Sequence, residues 1–496
     1  MNKKFPIKIS IENVLILIFM AVVAFVILIN SPMHPWSATE TGIDSSVFKT
    51  VGMMMSKGYM PYRDSFDHKG PVLYILEFIG YEISAFRGIW LIEFVLMTAA
   101  LFTMYKIARL VCSPLYALVA FFTGGALFHS YFGSGNSVEE FALLPISLGL
   151  YIFLDYILND RVNALRLSVC GACLGIVILL RPDLISLWAV FCIALLANTF
   201  YHKAWDRLKF FAIWFTVGFA IIVVPILLWL LINGALDDCY KIYLLFNFTY
   251  SSSSGGRASL MSKLSAFITF MKNPLVILVL LVTLALVIFR KNQRFLYITY
   301  VFYILACGLF ASIGGTVHDN YAMTFIPMAV FPYAGLMSSL REYEKERFNK
   351  YFTGVTALLL TSVIVLPSVY TSLCSVAEVY NNRPYSTMSE STNNIAGIII
   401  SLTDEDEPIS AYGNADLVYL ITGRPHATKY SYQFPIGSVD PTIMDDYFSQ
   451  LEEEAPRVIV IQKLLCDSRM YDFLEDNGYG VYWEDESVGI YLLGEA

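Results

Sequence analysis

The segment TGIDSSVFKTVGMMMSKGYMPYRDSFDHKGPVLY, residues 41–74, interrupts an otherwise strongly apolar chain with Asp44, Arg63, Asp64, Asp67, His68 and Lys69. It follows directly on an apolar run at 11–30 that is long enough to cross a bilayer. A polar loop rich in carboxylates and cations is thereby placed at a membrane surface.

The rest of the chain sets that context. Of 496 residues 57% are hydrophobic and only 15% charged, with a mean hydropathy of +0.60, too apolar for an ordinary soluble protein of this length. Runs of about 17–25 apolar residues recur near 88–108, 114–130, 138–157, 165–181, 183–201, 210–232, 274–290, 295–312, 320–338 and 351–371. With 11–30 they predict about eleven spans. Pro71 to Phe86 is short and carries Glu77 and Glu82, so it reads as an interfacial helix. The first run is an anchor and not a cleaved signal, because Pro32, His34 and Pro35 follow it where small residues are expected.

Cation placement fixes the expected orientation. With the N-terminus inside, Lys3, Lys106, Arg109, Arg161, Arg166, Arg207, Arg290, Lys291 and Arg341 all fall in cytoplasmic turns. The first outer loop, 31–87, and everything after about 372 then lie outside. The reading divides the chain into a multi-spanning domain, 1–375, and an extracytoplasmic acidic α/β domain, 376–496. Residues 378–496 hold 21 Asp and Glu against 6 Lys and Arg, which argues against binding nucleic acid or anionic lipid. Within this tail PISAYG and RVIVIQK read as strands, NADLVYLITG as a helix stopped by Gly423, and GVYWEDESVGIYLLG as a hairpin. The eight cysteines form no disulfide framework, and Cys170 and Cys173 lie inside a span without the polar partners a metal or redox pair needs.

In the first outer loop Val47, Phe48, Val51, Met54 and Met55 fall at helical spacing between Asp44 and Gly58. This predicts a helix over 45–57, flat on the membrane, with Asp44 as its N-cap. Such a cap is also a carboxylate held in a fixed direction. Pro61 and Gly70-Pro71 make the following run an ordered turn that holds Arg63, His68 and Lys69 near one surface. Lipid head groups alone would account for the cations, but not for their alternation with Asp64 and Asp67. His129 to Glu140, Arg181-Pro182-Asp183 and Gly314 to Tyr321 reach the same level. Ionised groups there cost about 2.5–3.5 kcal/mol each if central in hydrocarbon, so Glu139, Glu140, Arg181 and Asp183 are expected to face protein or water.

This order of span, early aspartate, Y-x-D-x-x-x-x-K-G-P run (Tyr62 to Pro71), membrane core and outer α/β domain resembles the GT-C glycosyltransferases that use polyprenyl-phosphate sugars. Bacterial relatives of the dolichyl-phosphate-mannose protein mannosyltransferases and the lipid A aminoarabinose transferase share the layout. The matched motifs are Asp44, Tyr62 to Pro71, Asn136 to Phe141, Arg181-Pro182 and His318 to Pro327. Many relatives carry Asp-Glu where this chain has Asp44-Ser45, and Lys-Pro-Pro where it has Lys69-Gly70-Pro71. The resemblance implies inverting sugar transfer to a glycolipid, polysaccharide or protein at the outer face. Asp44 is then the expected general base, with Arg63, His68, Lys69 and Arg181 on the donor phosphate. Asp64, Asp67, Glu139, His318 and Tyr321 are expected to bind or orient substrate.

Other signals are weaker. Asp404-Glu405-Asp406 has the spacing of a nucleotide-sugar metal motif but lies in an acidic run on the side without nucleotide sugars. No cofactor and no metal site is expected, with the metal requirement left open. The sequon Asn247-Phe248-Thr249 precedes SSSSGGR, Ser251 to Arg257, which reads as a flexible connection. A lipid-linked sugar flippase is the competing function, but no half-to-half repeat is visible and the charges gather at one interface. A tail acting as a sensor on a membrane anchor is disfavoured by the number of spans.

Overall fold

A computed structural model describes residues 10–29, 31–36, 43–125, 132, 135–247, 260–315, 317, 319–347, 370, 373–374, 376–378, 380–381 and 390–494. The membrane domain is built from α1 (Ile11–Leu28), α2 (Ile43–Ser56), α3 (Pro71–Ile83), α4 (Gly88–Arg109), α5 (Pro114–Gly125), α6 (Val138–Asn159), α7 (Ala164–Leu180), α8 (Ser186–Tyr201), α9 (Trp205–Ile232), α10 (Leu260–Met271), α11 (Pro274–Phe289), α12 (Arg294–Ala311) and α13 (Ile326–Arg347). Ten of the eleven expected spans coincide with one of these helices. The eleventh, 351–371, lies almost wholly outside the described residues, as do His129, Ser251 to Arg257 and His318.

By length and apolarity six helices among the described residues can cross a membrane, or seven if α10 and α11, bent by 73°, count as one span. Helices α5, α7 and α8 are shorter, at 12, 17 and 16 residues. The cation-bearing turns gather at one end. Arg109 meets Glu12 at 3.0 Å, Arg207 meets Asp160 at 3.1 Å, Arg290 meets Glu342 at 2.9 Å, and Arg166 pairs with the buried Asp155. Helices α7 and α9 pack through glycine, since a Cβ on Gly218 would overlap the Ser168 carbonyl and one on Gly171 the Phe215 carbonyl.

At the opposite end sits the tail: α14 (Glu390–Leu402), β1 (Ser410–Tyr412), α15 (Leu417–Thr422), α16 (Thr442–Glu454), β2 (Val458–Gln462), α17 (Ser468–Asp476), β3 (Tyr479–Glu484) and β4 (Val488–Leu493). The sheet order is β1-β2-β4-β3, with β1 parallel to β2 and the other pairs antiparallel. Gly423, at φ 68°, ends α15 as a left-handed cap. The strands, the helix and the hairpin expected in the tail are all present.

Two expectations change. Helix α2 begins at Ile43, so Asp44 lies in its first turn instead of capping it. Nor does α2 lie on a surface. Val47, Phe48 and Val51 join the membrane core, while Met53 and Met54 join the core formed by Ile399, Ile409, Tyr419, Val460 and Ile490 of the tail. The apolar residues expected to face lipid are therefore divided between two protein cores.

Replacing Gly218 by Leu should force α7 and α9 apart. Overpacking costs about 1–3 kcal/mol, so the thermal midpoint in detergent should fall by several degrees, whereas Ile221→Leu on an exposed face of α9 leaves it unchanged. An unaltered midpoint in Gly218→Leu would show that the helix pair does not depend on this contact.

Candidate functional site

The loop between α2 and α3 is built by its own backbone and then fastened to the tail. Tyr62 takes φ 69°, a conformation costly for an aromatic residue, and its N–H donates to the Ser65 carbonyl at 2.9 Å. The Met60 N–H donates to Asp64 at 2.7 Å. Gly70 then precedes Pro71, the first residue of α3, and its N–H donates to Leu180 at 3.2 Å. A Cβ on Gly70 would overlap the Leu179 carbonyl, so only glycine lets the loop reach the end of α7.

Asp67 is buried at the centre. It accepts from the Tyr74 hydroxyl at 2.8 Å, the His68 N–H at 2.8 Å and the Tyr432 hydroxyl of the tail at 3.2 Å. Tyr74 also accepts from the Lys69 N–H at 3.0 Å, and the Tyr62 hydroxyl donates to the Lys69 carbonyl at 2.8 Å. The Asn247 amide donates to the His68 carbonyl at 2.6 Å. Two successive residues, His68 and Lys69, are thus held at the backbone from four directions.

Their side chains differ in charge. Burial, with the cations Lys69 and Arg181 nearby, keeps the His68 imidazole well below its ordinary range and therefore neutral at pH 7. Its Nε2 accepts from the Lys69 ammonium at 3.0 Å, while Nδ1 stands 3.5 Å from Asp67. His68 is consequently a partner of Lys69, not a third cation as the sequence suggested. That bond is the one made by the Lys69 ammonium among the described residues, so donor capacity remains.

Arg181 follows α7 and supplies the second cation. It grips Asp183 through two nitrogens at 2.8 and 2.9 Å, pairs with Glu139, and lies 4.2 Å over the Tyr321 ring. Arg181, Asp183, Ser186, Tyr303, Tyr321 and Thr324 line a cavity of about 20 Å³, enough for a single water. Asp44 is exposed, and its charge is felt by Asp67, Tyr432 and Asp416. Arg63 turns elsewhere. Its nitrogens bond both oxygens of Asp64, at 2.8 and 2.7 Å, and the Asn233 carbonyl at 2.8 Å. Asp67, His68, Lys69, Arg181, Glu139 and Tyr321 therefore come together, Asp44 lies within electrostatic range, and the Arg63–Asp64 pair has a separate environment.

The tail closes the site through a continuous seam. Ser65 meets His426 at 2.9 Å, Phe66 N–H donates to Lys429 at 2.7 Å, Lys429 pairs with Asp238 at 3.4 Å, and Thr50 donates to the Asp416 carbonyl at 3.4 Å. Tyr432, His426 and Asp416 have no local motif that singles them out, so sequence reasoning passed over them. Asn247 was noticed only as a sequon. Asp404 and Asp406 stand clear of the site, where Lys57 pairs with Asp406 at 3.5 Å. Among the described residues no group of histidine, cysteine or carboxylate side chains could hold a metal.

Burial pushes the Asp416 carboxyl up to about 8, reinforced by the charges of Asp67 and Asp44, and neither of its oxygens makes a hydrogen bond among the described residues. The folded protein thus keeps a proton that the unfolded chain loses near pH 4. This carboxyl subtracts stability progressively from about pH 4 to 8. Asp416→Asn should accordingly gain in thermal midpoint over wild type as pH rises from 5 to 8. A difference independent of pH would contradict that assignment.

No family model and no curated protein matches the sequence. Solved structures do. ArnT from Cupriavidus metallidurans bound to undecaprenyl phosphate superposes with a TM-score of 0.62 at 14% identity, covering 96% of this chain and 97% of that one. The same protein in the apo state gives 0.60 at 14%, covering 97% and 98%. The chain has the GT-C fold over essentially its whole length, tail included.

Proposed function

We propose that this protein is an integral membrane glycosyltransferase that moves a sugar from a polyprenyl-phosphate donor to an acceptor hydroxyl at the outer face of the plasma (inner) membrane. The N-terminus is cytoplasmic in this reading and the tail extracytoplasmic, as the cation-bearing turns favour. The observation that carries it is the pair of cations, Lys69 and Arg181, fixed by hydrogen bonds at the helix ends, with Asp44 in electrostatic range of the Asp67 that anchors the same loop. The chain-long likeness to ArnT, solved with undecaprenyl phosphate, supports the same donor class.

The chemistry follows from these groups. The acceptor oxygen attacks the anomeric carbon from the face opposite the phosphate, the carbon–oxygen bond to phosphate breaks, and configuration inverts. Asp44 takes the acceptor proton. Negative charge on the departing polyprenyl phosphate grows as the bond lengthens, and the spare donors of Lys69 with the charge of Arg181 oppose it. Neutral His68 aims the ammonium, and Asp67, closed in by tyrosines, holds the loop. Glu139 and Tyr321 orient Arg181. The acceptor is a glycolipid, surface polysaccharide or protein.

The test is transfer from radiolabelled undecaprenyl-phosphate mannose, glucose and galactose by the purified protein in nanodiscs, with host envelope extract as acceptor. Wild type should transfer one of these sugars, and correctly folded Asp44→Asn should lose about 10²–10⁴ in kcat. Undiminished transfer by Asp44→Asn removes Asp44 as base. No transfer by wild type, together with lipid movement in proteoliposomes, would replace the reading with a flippase.

A further inference from the structure

Glu93 lies on α4, fully buried, at a position that apolarity alone would assign to lipid or core. An ionisable group there is costly and needs a reason. Its Oε1 accepts from the Asn136 N–H at 2.5 Å. The Glu140 carboxyl and the Ser31 hydroxyl lie near it, although Glu93 Oε2 and both Glu140 oxygens make no hydrogen bond among the described residues. The charge of Lys49, buried on α2, faces it as well. Four separate segments therefore meet at one carboxyl.

The Asn136 contact has a particular geometry. Gly135 and Asn136 take successive left-handed conformations, φ 71° and 49°; the Gly135 N–H is used on the Phe132 carbonyl, and the turn presents the Asn136 N–H to the carboxylate. A Cβ on Gly135 would stand 3.0 Å from Glu93 Oε1. Asn is one of the few side-chain-bearing residues that enter this conformation readily. Once there, its own amide donates to Ser45 Oγ at 2.7 Å. Ser45 is the residue after Asp44, in the first turn of α2, and is itself buried.

We propose that Glu93 is a positioning residue for Asp44, acting through Asn136 and Ser45. Resting on the transferase reading, this inference adds what fixes the direction of an otherwise exposed base. It also explains why Ser follows the aspartate in this chain: the small hydroxyl accepts the Asn136 amide. Lys49 and Met33, with Lys49 Nζ 3.6 Å from the Met33 sulfur, pack the remaining side of that turn.

The experiment compares Asn136→Gly, Glu93→Ala and Glu93→Gln with wild type in nanodiscs, using the undecaprenyl-phosphate sugar that wild type transfers. Gly keeps the left-handed backbone and the N–H to Glu93 but removes the amide that reaches Ser45. Gln keeps the oxygen that accepts from Asn136. Asn136→Gly and Glu93→Ala should lose about 10–100-fold in kcat with the donor KM unchanged, as displaced catalytic groups do. Glu93→Gln should stay within about twofold of wild type, and hydrogen exchange over residues 43–48 should quicken in Asn136→Gly alone of these two.

Wild-type kcat in Asn136→Gly, or equal impairment of Glu93→Gln and Glu93→Ala, overturns the inference while leaving the transferase reading intact. Lowered thermal stability with unchanged kcat per folded molecule overturns it too, since that is a purely structural effect. Absence of transfer by wild type removes the transferase reading itself, and this inference with it.

Discussion

Helix α2 is buried on both faces, and the arrangement of the rest follows from that. Val47, Phe48 and Val51 are locked into the membrane core and Met53 and Met54 into the tail core. Burying one such side chain fully is worth about 1.5–3 kcal/mol. Neither core can move without pulling the helix from the other. Asp44 sits at the start of this helix and the Tyr62-to-Gly70 loop at its end, so both inherit a position set jointly by membrane domain and tail.

The loop uses polar bonds where the helix uses apolar ones. Asp67 is unusual in being nearly inaccessible and surrounded by donors from the loop, from α3 and from the tail. Leaving any one of these donors buried and unmade would cost about 1–3 kcal/mol, which makes the network rigid as a unit. Rigidity matters because Lys69 is a flexible point charge on a long stem. Its backbone is held by Tyr62 and Tyr74 and its ammonium by His68. Arg181, already planar and fork-shaped, is fixed differently, by Asp183, Glu139 and the face of Tyr321.

Much of this was legible in the sequence. Hydropathy located ten helices of the membrane domain, because lipid demands long apolar runs, but not α10, Leu260–Met271, whose residues fell between two expected spans; alternation with turn residues located the tail strands. The run from Tyr62 to Pro71 advertised itself by its mixed charges. Asp44 was placed two positions off, at a cap instead of in the first turn, since helix starts are ambiguous by a residue or two. Periodicity found the apolar residues of α2 but not that they face two cores. Tyr432 lies 365 residues from Asp67, and no local pattern can join them. His68 read as a cation because residue type does not reveal burial, and Glu93 was hidden in an apolar run whose average it scarcely alters.

Lys69 and Arg181 act in catalysis only if a lipid phosphate rests between them. The most direct measurement is a cryo-electron-microscopy structure of the protein in nanodiscs with undecaprenyl phosphate. The phosphate is predicted to lie within hydrogen-bonding distance of the Lys69 ammonium, with Arg181 as its second neighbouring cation and Asp44 facing the position of the sugar. A phosphate held by other residues, away from Lys69 and Arg181, would contradict the account.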